Sequence, residues 1–302
     1  MTIRLVPLAQ TSTSTATEPG LRDPQHYLKL AQRHYENFPV GSWLLPKVAR
    51  RHLHRIYAFA RTADDLADEL QDRAALASFR EDFLRHEDPG VRDVPLFGEL
   101  FMTIREQGLE LCLFTDLLDA FDQDCHQTRY SRQELIDYCR RSADPVGRLV
   151  LRVCGYRDAQ MDAWSDQICT GLQLVNHLQD LREDLVERDR VYFPIEELEA
   201  CGASVEDLRA ERAGPEVRAF VLEQAERVGH NFAAGWPLIG AVRGRLRMEL
   251  RAILRGAAAV LARIRAVDGD VLGGRVHLSK LQRAGTVLAG LALRAEPRWG
   301  AR

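Results

Sequence analysis

Four polar side chains recur on one face of the stretch from Tyr57 to Glu69. On an α-helix, at about 100° per residue, Tyr57, Arg61, Asp64 and Asp68 stand at i, i+4, i+7 and i+11, within one narrow stripe. The stretch from Gly171 to Asp184 repeats the construction, with Gln173, Asn176, Asp180 and Asp184 at i, i+3, i+7 and i+11. Carboxylates one turn apart repel each other by a few tenths of a kcal/mol, so their convergence in a cleft needs a compensating charge. A hard divalent cation with oxygen ligands supplies it. Mg²⁺ held by few carboxylates keeps positions for phosphate oxygens. Two such helices facing each other would therefore set Asp64 and Asp68 opposite Asp180 and Asp184 as a cage for a diphosphate. Either string alone also reads as a solvated acidic face; two matching strings favour the cage.

Each string needs a helix to carry it, and the apolar residues provide one. Ile56, Ala60, Ala63, Ala67 and Leu70 form a stripe to one side of the first string, so that helix is expected to bury one face and present its carboxylates on another. Leu174, Leu178, Leu181 and Leu185 do the same for the second. Around them the pattern stays helical. Asp23-Pro24 opens a predicted helix through His34, broken at Phe38-Pro39-Val40-Gly41, and the first acidic helix begins past Pro46. Further helices are predicted over Ala74 to His86, Leu96 to Arg105 and Leu109 to Asp124. Ser131-Arg132-Gln133-Glu134 is a capping box opening a helix through Arg140, and Pro145 marks a break before Val146 to Cys154. Asp158 to Val186 reads as one helix carrying the second string. Short helices follow at Ile195 to Ala200 and Ser204 to Arg212, a longer one from Gly214-Pro215 to Phe232, and two or three more between Pro237 and Leu293. No stretch alternates with period two, so no sheet is expected.

The 302 residues, 46% hydrophobic and 28% charged, are those of a globular chain able to bury a substantial core. A net charge of −3 offers no general attraction for nucleic acid, and none is expected as a partner. Six cysteines without paired spacing read as reduced thiols of a cytoplasmic protein. No apolar run spans a bilayer, and the N-terminus has no continuous apolar segment of the secretory kind. Residues 1–22, which include Thr11-Ser12-Thr13-Ser14-Thr15, are expected to be disordered, and residues 23–295 to form one helical domain.

Tyr57 to Asp68, Gln173 to Asp184 and the trailing Arg190-Val191-Tyr192-Phe193-Pro194 together resemble the squalene and phytoene synthase family over roughly residues 26 to 290. The resemblance implies an all-α, single-domain isoprenoid-synthase helical bundle around a central cavity, with a prenyl diphosphate as substrate and Mg²⁺ as cofactor. It implies that Asp64, Asp68, Asp180 and Asp184, with Asn176, hold the metal. Arg61 then either clamps the diphosphate or holds the aspartates in place. Tyr57 offers its hydroxyl to phosphate or its ring to a carbocation, or packs as a core residue. Gln173 and Asn176 bond substrate or metal-bound water, or satisfy each other. His34 and Tyr192 join the substrate contacts by family position, and Arg190 either reaches the diphosphate or neutralises the acidic cage. Asp65 and Glu183, off the stripes, either support the ligands or face solvent.

Three departures refine the likeness. Glu36-Asn37 stands where familiar members carry a positive charge. Ala143-Asp144-Pro145 replaces an Ala-Gly segment of condensing members, and Gln179 replaces an arginine. Glu36-Asn-Phe-Pro-Val-Gly-Ser42, Thr62-Ala-Asp-Asp-Leu-Ala-Asp-Glu69 and Ser142-Ala-Asp-Pro-Val-Gly-Arg148 most resemble the hydroxysqualene synthases of the bacterial hopanoid pathway. That likeness implies presqualene diphosphate, ionised with Mg²⁺, and a carbocation captured by water. The alternatives are head-to-head condensation of two prenyl diphosphates, against which Asp144-Pro145 and Gln179 argue, and a non-catalytic relative, which would be expected to have lost one acidic string. A lipid product implies work near a bilayer, with contact peripheral to the inner membrane.

Overall fold

The computed structural model describes residues 45–68, 72–274, 276–279, 282, 285–286, 288–290 and 295–300, with the side chain of Asp68 outside that description. The expectations for residues 1–22, for the helix from Asp23 to His34 and for the break after it lie outside the described residues. The described helices are α1 (Lys47–Asp68), α2 (Arg73–Arg85), α3 (Pro95–Gln107), α4 (Leu111–Asp124), α5 (Arg132–Ser142), α6 (Asp144–Val153), α7 (Ala159–Gln179), α8 (Leu181–Arg188), α9 (Ile195–Ala200), α10 (Pro215–Gly235), α11 (Leu238–Ala241) and α12 (Gly244–Ala266). Among the described residues there is no strand, only an isolated bridge between Arg129 and Val191. The chain is all-α, and no described helix is long and apolar enough to cross a membrane.

The described residues group into two compact units: residues 45–125 with 149–156, and residues 126–148 with 157–300. In the first, α1 packs against α2, α3 and α4. Phe59 is completely buried there, its ring 4.8 Å from that of Phe83, 5.4 Å from Phe79 and 5.4 Å from Phe114. Such ring pairs each add about 1 kcal/mol beyond the area they bury. His52, also on α1, brings its Nδ1 to 3.1 Å from Thr103 Oγ1 on α3. Both helix ends are capped: Asp72 accepts from Ala75 N at the start of α2, and Gly108 closes α3 with φ 55°.

In the second unit α7 is flanked by α5, α10, α11 and α12. Two glycines let α7 and α10 come together. A Cβ on Gly171 would meet Phe232 Cε1 at 2.7 Å, and one on Gly235 would meet Ile168 Cγ1 at 2.5 Å. The capping box at Ser131 forms as expected, with Glu134 accepting from Ser131 N at 2.7 Å. Asp158 caps α7, accepting from Met161 N.

Two spans differ from the sequence-based expectation. Ser204 to Arg212 is not a helix but a single 3₁₀ turn at Glu206–Arg209, where Asp207 turns back to accept from Ser204 N and from its hydroxyl. The helix expected from Asp158 to Val186 bends at Asp180, which sits at φ −105° and ψ 9° in the bridge region between α7 and α8. The backbone bonds Asp180 N to Asn176 O and Asp184 N to Asp180 O survive at 2.9 and 2.8 Å, so the ladder is bent without being cut.

Glu249 lies on the buried face of α12 with Leu246, Ala252 and Leu254, its Oε2 without a hydrogen-bond partner. Burial pushes its carboxyl up to about 8. The folded chain therefore keeps Glu249 protonated where the unfolded chain ionises it, a destabilising imbalance that grows with pH until about 8. Glu249→Gln is expected to raise the thermal midpoint at pH 7 and to raise it little at pH 4, as scanning calorimetry at the two pH values would read.

Candidate active site

The first acidic string keeps its order on α1. Asp64 is 4% exposed, and Ala58, Phe59, Thr62, Ala63, Leu66 and Ala67 are buried with it. Helices α2, α3 and α4 cover α1 on several sides. Arg61 is what makes that burial tolerable. Its Nη1 lies 3.1 Å from Asp64 Oδ2, and its Nη2 lies 2.5 Å from Asp65 Oδ1. One guanidinium thus serves two carboxylates, and Asp65 is a supporting group and not a solvated one. Tyr57, one turn before Arg61, is half-buried; burial raises its hydroxyl pKa, against the pull of Arg61 and with the push of Asp64 and Asp65.

The second string lies in the other unit. From Gln173 through Asp180 every residue is buried, polar and apolar alike. The amide Nε2 of Gln173 stands 3.2 Å from His177 Nε2. His177 Nδ1 stands 4.0 Å from Asp184 Oδ2, across the bend at Asp180. Asp184 is also approached by Arg188 Nη1 at 3.4 Å. Complete burial, reinforced by the charge of Arg190, lowers the His177 pKa well below its usual value, so the ring is neutral and bonds as an imidazole. Gln173 therefore bonds His177, one turn on, and the pair with Asn176 considered from sequence is not the one formed.

The loop after α8 delivers the last predicted residues. Asp189 ends α8 at φ 49° and is held by Arg129 Nη2 at 2.9 Å and by Arg209. Val191 N donates to Thr128 O at 2.9 Å, which fixes the strand-like turn of the loop. Arg190 Nη1 then donates to the Tyr192 hydroxyl at 2.9 Å, with its guanidinium 5.5 Å from the centre of the same ring. Tyr192 stacks on His177 at 3.6 Å and on Tyr130 at 5.2 Å, and Tyr138 lies 5.2 Å from Tyr192. The aromatic wall of Tyr130, Tyr138 and Tyr192 around His177 was not read from the sequence. Its members come from α5, from the segment before it and from the loop after α8, and no spacing signals such a meeting.

Gln173, Asp184, Arg190 and Tyr192 are thus linked in one network through His177, which sequence reasoning left aside. Asn176 and Asp180 are buried on the same stretch, 6% and 8% exposed. Gln179, which stands where an arginine was noted to be missing, donates its amide to Val276 O and serves the fold. His34 and the side chain of Asp68 lie outside the described residues. Among the described residues no three Asp, Glu, His or Cys side chains stand together as a metal site. The donors of both strings are carboxylate and amide oxygens, the chemistry that suits Mg²⁺.

Residues 31–282 match the squalene/phytoene synthase family. The hydroxysqualene synthase of Sinorhizobium fredii is 36% identical over 83% of this chain and 86% of its own length. The presqualene diphosphate synthase of the same organism is 31% identical over 63% of this chain and 70% of its own length. Among solved structures, squalene synthase HpnC from Alicyclobacillus acidocaldarius superposes with a TM-score of 0.74 at 37% identity, over 80% of this chain and 94% of that one.

Replacing Arg61 with Met keeps the volume of the side chain and removes the charge that serves Asp64 and Asp65. The buried Asp64 carboxylate then loses the guanidinium 3.1 Å from it, and unfolding in urea is expected to require on the order of 3 kcal/mol less. An unchanged midpoint would mean that Arg61 is not what holds the aspartates.

Proposed function

We propose that this chain, which belongs to the squalene/phytoene synthase family, converts presqualene diphosphate and water to hydroxysqualene and diphosphate. It is a terpenoid synthase by family. The choice of reaction rests on one observation: of two relatives from one organism, the hydroxysqualene synthase matches at higher identity and over more of the chain than the presqualene diphosphate synthase.

Asp64, Asp68, Asn176, Asp180 and Asp184 would hold Mg²⁺. Bound there, the metal supplies Lewis-acid stabilisation for the departing diphosphate. The protein's own groups account for the rest. Arg190, kept in place by Tyr192 and by the pinned loop, offers a guanidinium to the diphosphate; His34 adds a polar contact and Gln173 a hydrogen bond. Arg61 orients Asp64 and Asp65. Tyr57 would offer its ring to a carbocation or its hydroxyl to phosphate. A lipid product released by such a site favours work at the surface of the inner membrane.

The direct test incubates the purified chain with presqualene diphosphate and Mg²⁺, without a nicotinamide cofactor, and analyses the lipid extract by mass spectrometry. A C30 alcohol is expected. Consumption of farnesyl diphosphate in a parallel tube, with presqualene diphosphate untouched, would make the enzyme a condensing one and overturn the proposal. Asp180→Asn keeps the shape and removes the charge. It is expected to lower kcat by at least about 100-fold while the circular-dichroism melt stays close to wild type.

A further inference from the structure

Asp144 opens α6 as its first residue and is 7% exposed. It meets α7 through one bond: Thr170 Oγ1 donates to Asp144 Oδ1 at 3.0 Å. The other carboxylate oxygen, Oδ2, takes no hydrogen bond from the protein. Two residues earlier Ser142 ends α5, completely buried, and its hydroxyl also has no partner. A buried hydroxyl and the open carboxylate oxygen of a largely buried aspartate at one helix junction are the kind of polar groups that bind water.

The position of Thr170 places this junction relative to the site already described. Thr170, Gln173 and His177 stand at i, i+3 and i+7 on α7, one stripe, so Asp144 docks on the same face of the helix as the Gln173–His177 pair. Asp166 extends that stripe one turn further back, and Arg148 holds it with two bonds of 2.9 and 2.6 Å. The guanidinium one turn after Asp144 is therefore engaged by Asp166, and that of Arg141, three residues before it, by Asp137. The junction is also held closely against α7, since a Cβ on Gly147 would meet Ser165 Oγ at 2.3 Å and Cys169 Sγ at 2.6 Å.

We propose that the Asp144 carboxylate, oriented by Thr170, accepts the proton of the water molecule that captures the carbocation. This inference rests on the reaction proposed above. In the step, the water oxygen forms the new C–O bond to the cationic carbon, one O–H bond breaks, and its proton passes to Asp144 Oδ2. The diphosphate has already left with the electron pair of its C–O bond. The sum is substrate plus water to alcohol, diphosphate and one proton. Without an acceptor, the cation is expected to lose a proton from carbon instead and leave as a C30 hydrocarbon.

Asp144 shares its surroundings with Asp166, Arg148 and Arg140 and with the thiols of Cys139 and Cys169. Burial, reinforced by Asp166, pushes its carboxyl up to about 7, while Thr170, Arg148 and Arg140 pull it down. The ionised form is the acceptor, so alcohol formation rises with pH through about 7. Removing the Thr170 hydrogen bond takes away a downward pull and moves that midpoint to higher pH.

The experiment measures alcohol and hydrocarbon from presqualene diphosphate and Mg²⁺ across pH, for the wild-type chain, D144N and Thr170→Val. For D144N the expected result is alcohol formation down by about 100-fold, with hydrocarbon in its place and KM within a few-fold of wild type. For Thr170→Val it is a midpoint shifted upward. The wild-type pH profile tests the assignment even if D144N fails to fold, because a flat alcohol-to-hydrocarbon ratio across pH overturns it. Wild-type alcohol together with an unchanged product ratio in folded D144N overturns this assignment alone. No alcohol from the wild-type chain overturns the assignment together with the functional reading.

Discussion

A polar group taken out of water costs several kcal/mol unless a protein partner replaces the lost hydrogen bonds. Helix α7 removes Gln173, Asn176, His177 and Gln179 from water on the same turns as Leu174 and Leu178. Its neighbours are arranged around meeting that requirement. Gln173 bonds His177, His177 approaches Asp184 and stacks on Tyr192, and Gln179 reaches the backbone at Val276. The close approach of α10 at Gly171 and Gly235 excludes water from the apolar side, which leaves the polar side to the tyrosines and to the loop that carries Arg190.

The first acidic string meets the same constraint with a local device. Arg61 stands three and four residues before Asp64 and Asp65, so a counter-charge is written into the helix itself. The second string has a local pair of its own, Arg188 with Asp184, and adds a distant one: Arg190 is useful only because Arg129 and Arg209 pin Asp189 and because Val191 bonds Thr128. Each half of the candidate site is thus organised within its own unit of the chain.

That division accounts for what was legible beforehand. Helix positions follow from apolar periodicity and from caps, and α2, α5, α7 and α9 begin within a residue of the expected Ala74, Ser131 capping box, Asp158 and Ile195. The residue types on the two polar stripes, and the i,i+3 contact of Arg61 with Asp64, are also local facts. Depth is not local. Nothing in the spacing says that α1 is covered on several sides or that Asp64 is left only 4% exposed. Nor does spacing show that Tyr130, Tyr138 and Tyr192 converge on His177, because that contact joins segments far apart in the chain. The bend at Asp180 has neither proline nor glycine to announce it.

The bend shows why a repeated pattern did not produce two identical half-sites. Seven residues of straight helix advance about 10.5 Å, a long reach for a histidine and an aspartate. With the backbone turned at Asp180, His177 and Asp184 come to 4.0 Å, and the carboxylate of α8 joins a network rooted in α7. On α1, where Tyr57 to Asp68 stay on one continuous helix, Arg61 reaches both Asp64 and Asp65 from one turn away. The second string is held by contacts that reach α5, the loop at Asp189 and the backbone at Val276. A substitution in the loop after α8 should therefore disturb the second string through Arg190 and Tyr192, whose ring stacks on His177.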